Sequence, residues 1–242
     1  MNPRDTLEAW FASYGSDSQL EIESRIRGGV SEGVYRYVLR KFLEANCWES
    51  DVKEEETLDV SFAGAARIRG TYWLSSSAGR GGDGGGGGGG GVGVLSHGAV
   101  PRYLRKEKEE DPCDFEHVDK ATGLTLPIRM SCSSEVQLDW IRAGGHEVQH
   151  VRYKRRHSFN RKNEFQYDLT EVRSGGTMEE ARTSRSVEYE IELEWIGQNS
   201  VKAGKYDSLG GAKHLAEKYL LKVADMCMLV AAARKIEGGS SN

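Results

Sequence analysis

The sequence has only four cysteines in 242 residues, and none of them forms a CxxC pair. This scarcity argues against a zinc knuckle and against a disulfide framework. No apolar run approaches the length of a membrane span, and the first residues are not followed by the apolar core of a signal peptide. We therefore expect a soluble intracellular protein with reduced thiols. The net charge of -4 gives little indication of a partner.

Glycine is abundant, but most of it lies in one segment. Residues 75–93 are dominated by glycine and lack the GxxxxGK[ST] pattern of a phosphate-binding loop. Such a segment buries almost nothing and loses much backbone entropy on ordering. We predict a disordered loop at about residues 75–98, within a single catalytic domain that covers residues 1–242.

Three segments alternate between apolar and charged residues, at 19–27, 151–159 and 187–195. Successive side chains of a β-strand point to opposite faces, so this alternation predicts strands with one charged face each. The charged residues that share a face are Glu21, Glu23, Arg25 and Arg27 in the first segment, Arg152, Lys154 and Arg156 in the second, and Glu188, Glu190, Glu192 and Glu194 in the third. The charge is therefore sorted by strand.

Further strands and helices are predicted from the same kinds of pattern. The remaining strands are predicted at 54–62, 65–74, 101–108, 126–138 and 165–172, with hairpins joining 54–62 to 65–74 and 151–159 to 165–172. Amphipathic helices are predicted at 5–13, 32–47 and 208–236. Residues 109–114 are predicted as an acidic turn and 174–184 as a loop.

The charged faces could point outward or inward. An antiparallel sandwich with a wet outer side explains any one strand, and this is the alternative. Three observations favour the inward orientation: the signs are sorted by strand, the opposite faces carry large apolar residues such as Trp195, and short polar pairs extend the pattern. Those pairs are Asp168 and Thr170, Ser133 and Glu135, and Arg67 and Arg69. We predict an α+β protein with a closed eight-stranded antiparallel β-barrel and helices packed outside.

A charged barrel interior has a definite chemistry. Carboxylates from two strands would bind a hard divalent cation such as Mg²⁺ or Mn²⁺, which prefers oxygen ligands. Arginine and lysine on the facing wall would hold a polyphosphate. Phosphoryl transfer needs little more than charge neutralisation and in-line placement of a water.

The ordered motifs resemble a known family. Glu21-Ile22-Glu23 and residues 188–194 are similar to the two glutamate motifs of the triphosphate tunnel metalloenzymes. Residues 152–159, followed by 167–172, resemble the fungal, protozoan and viral RNA 5′-triphosphatases of mRNA capping. The resemblance implies an enzyme that uses Mg²⁺ or Mn²⁺ inside an eight-stranded tunnel to remove the γ-phosphate of triphosphate-ended RNA, with nucleoside triphosphates as further substrates.

The resemblance also implies a role for individual residues. The metal ligands would be Glu21, Glu23, Glu190, Glu192 and Glu194, with Glu188 in place of Glu194 as an alternative register. The γ-phosphate would be held by Lys154, Arg156 and Arg69, with Arg67 as an alternative to Arg69, Arg152 on the same wall, and Lys106 as a further tunnel lysine. Glu135 would orient the attacking water, and Asp168 with Thr170 would brace the basic strand.

Other residues receive structural roles in this interpretation. Asp59, Ser131 and Ser133 are expected to be hydrogen-bonding residues, and Arg155 is expected to be a surface charge. The histidines His146, His150 and His157 are not expected to bind metal, because they have no partners at fixed spacing.

Two alternatives remain open at this point. One is a polyphosphatase or thiamine-triphosphatase-like hydrolase with the same tunnel fold, and the other is a non-enzymatic β-sandwich interaction module. The capping interpretation implies a separate guanylyltransferase, since the chain lacks a KxDG signature, and a nuclear location, or a cytoplasmic one for a viral protein. About 18 residues precede the first predicted strand, so no long recruitment arm is expected.

Overall fold

The structure is a computed structural model, and it describes residues 2–13, 20–62, 68–74, 102–138, 147–197 and 211–239. Within these residues there are four helices: α1 (Pro3–Ser13), α2 (Glu32–Glu44), α3 (Met178–Thr183) and α4 (Gly211–Gly239). The strands are β1 (Leu20–Ile26), β2 (Lys53–Phe62), β3 (Ile68–Leu74), β4 (Arg102–Glu109), β5 (Cys113–Val118), β6 (Thr125–Leu138), β7 (Val148–Arg161), β8 (Phe165–Gly175) and β9 (Glu188–Trp195). The predicted glycine-rich loop lies outside the described residues.

Eight of the strands form a closed antiparallel barrel. The order around the barrel is β1-β9-β8-β7-β2-β3-β4-β6, and β6 pairs with β1 along Leu20–Ile26 to close it. Closure leaves no free edge among these eight strands. The predicted barrel is confirmed, and the alternative of an open sandwich is wrong. Both predicted hairpins, β2–β3 and β7–β8, are present as antiparallel pairs.

A ninth strand was not expected. Residues 109–114 were predicted as a turn, but the irregular link covers only 110–112, and β5 begins at Cys113. β5 pairs with the first half of β6, while β4 pairs with the second half. The prediction was misled by Pro112 and the acidic residues around it, although Cys113 and Phe115 alternate with polar residues as a strand requires.

The predicted loop at 174–184 contains the short helix α3, so this part of the prediction was also wrong. Thr177 caps the helix by accepting a hydrogen bond from the backbone N–H of Glu180, whose side chain accepts one from the backbone N–H of Thr177. This reciprocal arrangement is a capping box, and the Thr-x-x-Glu spacing is visible in the sequence. The buried side chain of Ala181 anchors the helix to the barrel wall.

The apolar faces of the strands point outward, beneath the helices. Ile191, Leu193 and Trp195 of β9 are fully buried in a core shared with α1, α2 and α4. The rings of Phe11 and Trp195 meet edge to face, with centroids 5.1 Å apart. Each such fully buried large side chain contributes about 1.5–3 kcal/mol of hydrophobic stabilisation. The helices therefore cover the outside of the barrel, and the polar faces of the strands are left to line its interior.

The 29-residue helix α4 lies across the barrel with one buried face. Leu215, Tyr219 and Val223 are buried there, whereas Leu221 and Met228 are exposed on the opposite side. No helix in the described part of the chain combines the length and apolar character that membrane crossing requires.

Two substitutions on α4 test this packing. We expect Leu215→Ala to lower the free energy of unfolding by about 2–5 kcal/mol, because it opens a cavity beneath the helix. Leu221→Ala, which truncates a 64% exposed leucine on the same helix, is the matched control, and it should change stability by less than about 0.5 kcal/mol. Urea unfolding measures both values. Equal effects would contradict the assigned buried face.

Candidate active site

The interior of the barrel, which we call the bore, holds a polar cavity of about 340 Å³. Its wall consists of alternate residues from the strands, as the two-residue period requires. The lining residues include Glu21, Glu23, Asp59, Arg69, Lys106, Glu135, Lys154, Arg156, Asp168, Glu192 and Glu194. Ten of these were singled out from the sequence for the bore, and Asp59 was expected to have a structural role.

One wall of the bore is acidic. Glu23 of β1 lies directly opposite Glu194 of β9, and Glu21 and Glu192 extend the acidic wall along the same two strands. Ser131 donates a hydrogen bond to the carboxylate of Glu23 at 2.8 Å, in agreement with its expected hydrogen-bonding role. The wall therefore concentrates carboxylates in an enclosed space, where water screens them poorly.

Enclosure changes the ionisation of these carboxyl groups. Burial, followed by the charge of Glu135, raises the pKa of Glu21 to about 7. Burial also raises the pKa of Glu192 to about 7, with Glu23 and Glu190 adding to the effect. The pKa of Glu194 is raised to about 8 by burial and by Asp168. Burial is the largest cause of each shift, and the neighbouring cations only partly offset it.

The facing wall carries cations that are fixed by acidic partners. Lys154 is only 7% exposed, and its ammonium lies 2.6 Å from the carboxylate of Asp59, which also accepts a hydrogen bond from Thr71. Burial lowers the pKa of Lys154, and Asp59 partly offsets that effect. Asp59 thus has the expected hydrogen-bonding role and, in addition, supplies the counter-charge that allows a lysine to be buried.

Arg156 and Arg69 are held in the same way. Arg156 lies 3.3 Å from Asp168, whose carboxylate also accepts a hydrogen bond from Ser158 at 2.6 Å. Arg69 donates to both carboxylate oxygens of Glu135, at 3.1 and 3.2 Å. The first pair joins the neighbouring strands β7 and β8, and the second reaches from β3 across β4 to β6. Each pair fixes the direction of a guanidinium, which presents several donors in a planar fork.

Several of the singled-out residues lie elsewhere. Glu190 and Arg152 form an ion pair of 2.8 Å beyond the lining of the cavity, and Glu188 is exposed at the start of β9. Thr170 is fully buried, and its hydroxyl has no hydrogen-bond partner among the described residues. Arg67 and His146 lie outside the described residues.

Arg155, His150 and His157 do not line the cavity. Arg155 is half exposed and pairs with Glu56 at 3.3 Å, as expected of a surface charge. His150 is exposed, and His157 lies 3.7 Å from Glu54. Neither histidine lines the cavity.

Sequence reasoning missed one end of the bore. Lys53, Glu55, Trp73 and Arg102 also line the cavity, and none of them was singled out. Trp73 shares a face with Arg69 through the two-residue period of β3, so the signal was present in the sequence. Lys53 lay just outside the predicted strand, which began at residue 54.

The donor set suits a hard cation. Within the described residues, no three His, Cys, Asp or Glu side chains are grouped closely enough to form a metal centre by themselves. Burial and neighbouring carboxylates raise the pKa values of Glu21, Glu192 and Glu194, and a divalent ion bound beside them would favour their ionised forms. Mg²⁺ commonly binds through one or two carboxylates and completes its shell with waters and substrate phosphate oxygens. The acidic wall fits that mode of binding.

Known structures share this fold. The S. pombe Pct1 RNA triphosphatase matches with a TM-score of 0.59 at 13% sequence identity, over 96% of this chain and 93% of that chain. The same protein in complex with the Spt5 CTD matches with a TM-score of 0.57 at 12% identity, over 96% and 94% of the two chains.

A viral structure matches as well. The RNA triphosphatase domain of the trifunctional mimivirus mRNA capping enzyme has a TM-score of 0.51 at 15% identity, over 88% of this chain and 96% of that one. No protein-family model matches the sequence, and neither does any curated protein. At these identities the similarity establishes the fold, and it confirms the predicted tunnel architecture.

The acidic wall makes the metal-free protein sensitive to pH. Glu192 has a pKa of about 7 in the folded protein against an ordinary value of 4.5, so the unfolded chain loses its proton first as the pH rises. This group therefore lowers stability progressively between about pH 4.5 and pH 7. In EDTA at pH 8, we expect Glu192→Gln to raise stability by on the order of 2 kcal/mol, or about 4–8 °C in the melting temperature. At pH 5 the gain should largely disappear.

Glu188→Gln is the matched control, because Glu188 lies on the same face of the same strand but is exposed. Its melting temperature should follow that of the wild type at both pH values. A Glu192→Gln variant that is no more stable than the wild type at pH 8 would contradict the inference that this carboxylate is poorly neutralised.

Proposed function

We propose that the protein is a metal-dependent RNA 5′-triphosphatase. It removes the γ-phosphate from triphosphate-ended RNA in the first step of cap formation, and it hydrolyses nucleoside triphosphates as a side activity. The observation that carries the proposal is the closed bore, in which Glu23, Glu192 and Glu194 face Lys154 and Arg156. The fold shared with RNA triphosphatases adds to this support.

The basic residues would bind the transferring group. Lys154, Arg156 and Arg69 would contact the γ-phosphate oxygens, and Lys106 would lie beside them on the neighbouring strand β4. Their carboxylate partners fix these side chains in advance, so little reorganisation is needed when the phosphate arrives. Asp168 positions Arg156, and Asp59 positions Lys154.

Glu135 would orient the attacking water. Its carboxylate already accepts hydrogen bonds from Arg69, which would place the water close to a γ-phosphate held by the same guanidinium. The water oxygen forms a bond to the γ-phosphorus, and the bond from that phosphorus to the β–γ bridging oxygen breaks. The products are inorganic phosphate and a diphosphate-ended RNA.

The acidic wall would hold Mg²⁺ or Mn²⁺. Glu21, Glu23, Glu192 and Glu194 are the candidate ligands that line the cavity, and Glu190 is a candidate that now pairs with Arg152. The ion would neutralise charge on the phosphate oxygens. As parts of the same proposal, we place a guanylyltransferase on a separate polypeptide and the protein in the nucleus, or in the cytoplasm if it is viral.

Phosphate release tests the proposal directly. We expect the protein to release one phosphate per molecule from triphosphate-ended RNA with Mg²⁺ or Mn²⁺, and to release none in EDTA. Glu192→Gln and Lys154→Met should each lower kcat/KM by at least about a hundredfold, since each removes a charge aimed at the reacting phosphate. Arg155→Met is the matched control for the cation, because Arg155 lies on the same strand but faces outward.

Inorganic tripolyphosphate is the comparison substrate. A protein that hydrolyses it and ignores RNA would be a polyphosphatase with the same tunnel fold. A protein that releases no phosphate from any triphosphate, with either ion, would be a non-enzymatic module.

The register of the last glutamate motif needs a separate experiment. Glu194 lines the cavity, whereas Glu188 is exposed, so we expect Glu194→Gln to abolish turnover and Glu188→Gln to retain most of it. Steady-state rates at a series of Mn²⁺ concentrations separate loss of the ion from loss of chemistry. The reverse order of the two variants would assign the motif to Glu188, Glu190 and Glu192.

A further inference from the structure

One end of the bore is unlike the rest of its wall. β2 and β4 begin there and β3 ends there, because the three strands are antiparallel neighbours. We call this end the β3–β4 mouth. Its wall carries Lys53 at the start of β2, Trp73 near the end of β3 and Arg102 at the start of β4. The inner part of the bore is almost entirely charged, so an indole at this position is chemically distinct.

Trp73 is placed to receive a ligand. It lies on the same face of β3 as Arg69 and Thr71, and it lines the same cavity as the acidic and basic walls. Trp73 is 37% exposed, whereas Trp10 and Trp195 are buried in the hydrophobic core between the helices and the barrel. A single exposed aromatic is ordinary on a protein surface, but the indole of Trp73 lines the cavity that holds the charged groups, so a ligand in that cavity can cover it. The stacked face of a nucleobase is a suitable cover.

The spacing along β3 agrees with such a ligand. Trp73 and Arg69 are four residues apart, which corresponds to about 13 Å along a strand. A triphosphate extended through the bore, followed by its ribose, spans a distance of this kind. If the γ-phosphate lies at Arg69, as the proposed function requires, the first nucleoside reaches the β3–β4 mouth.

Arg102 supplies the charge that the next part of an RNA chain needs. It is exposed, it pairs in register with Thr71 beside Trp73, and it has no ion pair among the described residues. Lys53, in contrast, is paired with Glu55 at 2.7 Å. A guanidinium beside a stacking platform is the arrangement with which proteins hold single-stranded nucleic acid.

We infer that Trp73 stacks on the base of the 5′-terminal nucleoside, and that Arg102 contacts the phosphodiester that follows it. This inference rests on the proposed function and adds the determinant by which the enzyme distinguishes an RNA end from inorganic polyphosphate. Stacking is tolerant of sequence, because every base has a flat face. The β3–β4 mouth therefore selects for a nucleoside, whatever its base.

Kinetics on three substrates test the role of Trp73. Trp73→Leu should lower kcat/KM about tenfold for triphosphate-ended RNA and for ATP, as expected from the loss of one stacked base. Hydrolysis of inorganic tripolyphosphate should stay unchanged, since that substrate has no base. Trp73→Phe is the conservative variant and should recover most of the activity on RNA. An equal loss on all three substrates, or no loss on any, would overturn the inference.

The role of Arg102 has a matched control on the same strand. Arg102→Ala should weaken binding of triphosphate-ended RNA but not of ATP, which has no following phosphodiester, and the salt dependence of RNA binding should become shallower. Arg105→Ala removes the same charge from the opposite face of β4 and should leave both ligands unaffected. Equal effects of the two variants on RNA would count against the assignment of Arg102.

A binding measurement keeps this inference separate from the proposed function. Fluorescence anisotropy of a labelled RNA, with a methylene bridge between the β- and γ-phosphates, reports affinity without turnover. If the wild type releases no phosphate from any substrate, the proposed function fails, and the comparison of the wild type with Trp73→Leu in this assay still decides the role of Trp73. Equal affinities, or no RNA binding by the wild type, would overturn that role.

Discussion

Charge enclosed within the barrel is the constraint on which the rest of the structure depends. The ion pair of Lys154 with Asp59, on the neighbouring strands β7 and β2, allows a lysine to be buried where water solvates it poorly. Glu135 of β6 holds Arg69 of β3 across the intervening strand β4. The carboxylates of the acidic wall have fewer cationic partners. No ion pair within the described part of the chain involves Glu192 or Glu194, so the fold retains an excess of negative charge opposite its fixed cations.

The helices make this arrangement possible. A barrel with a charged interior cannot use that interior as its hydrophobic core, so the outward faces of the strands must supply one. Ile22, Leu193 and Trp195 pack beneath α1 and α4, where Phe11 and Tyr219 complete an aromatic cluster. The stability gained on the outside offsets the cost of holding like charges together on the inside. Substitutions that relieve the acidic wall should thus stabilise the protein while removing proposed metal ligands.

The sequence was sufficient to predict the barrel because alternation defines the faces of strands, and because the sorted signs of residues such as Glu192 and Lys154 favoured an enclosed arrangement. The sequence did not determine how deep along the bore each charged side chain lies. Glu190 has the same alternation as Glu192, yet it pairs with Arg152 beyond the cavity lining. Which side chains of different strands meet as ion pairs also depends on the stagger of the strands around the barrel. No local sequence pattern encodes that stagger. β5 was missed because its six residues alternate too briefly to outweigh the adjacent proline.

Closure of the barrel by the β1–β6 pairing has a geometric consequence for a polymeric substrate. A groove that is open along one side could bind the middle of a nucleic acid chain. A closed ring of hydrogen-bonded β-strands has no open side through which the middle of a polymer could enter. Only a terminus can thread such a ring. For the RNA substrate proposed above, discrimination between the end of a strand and its interior would follow from topology, before any side chain contacts a phosphate.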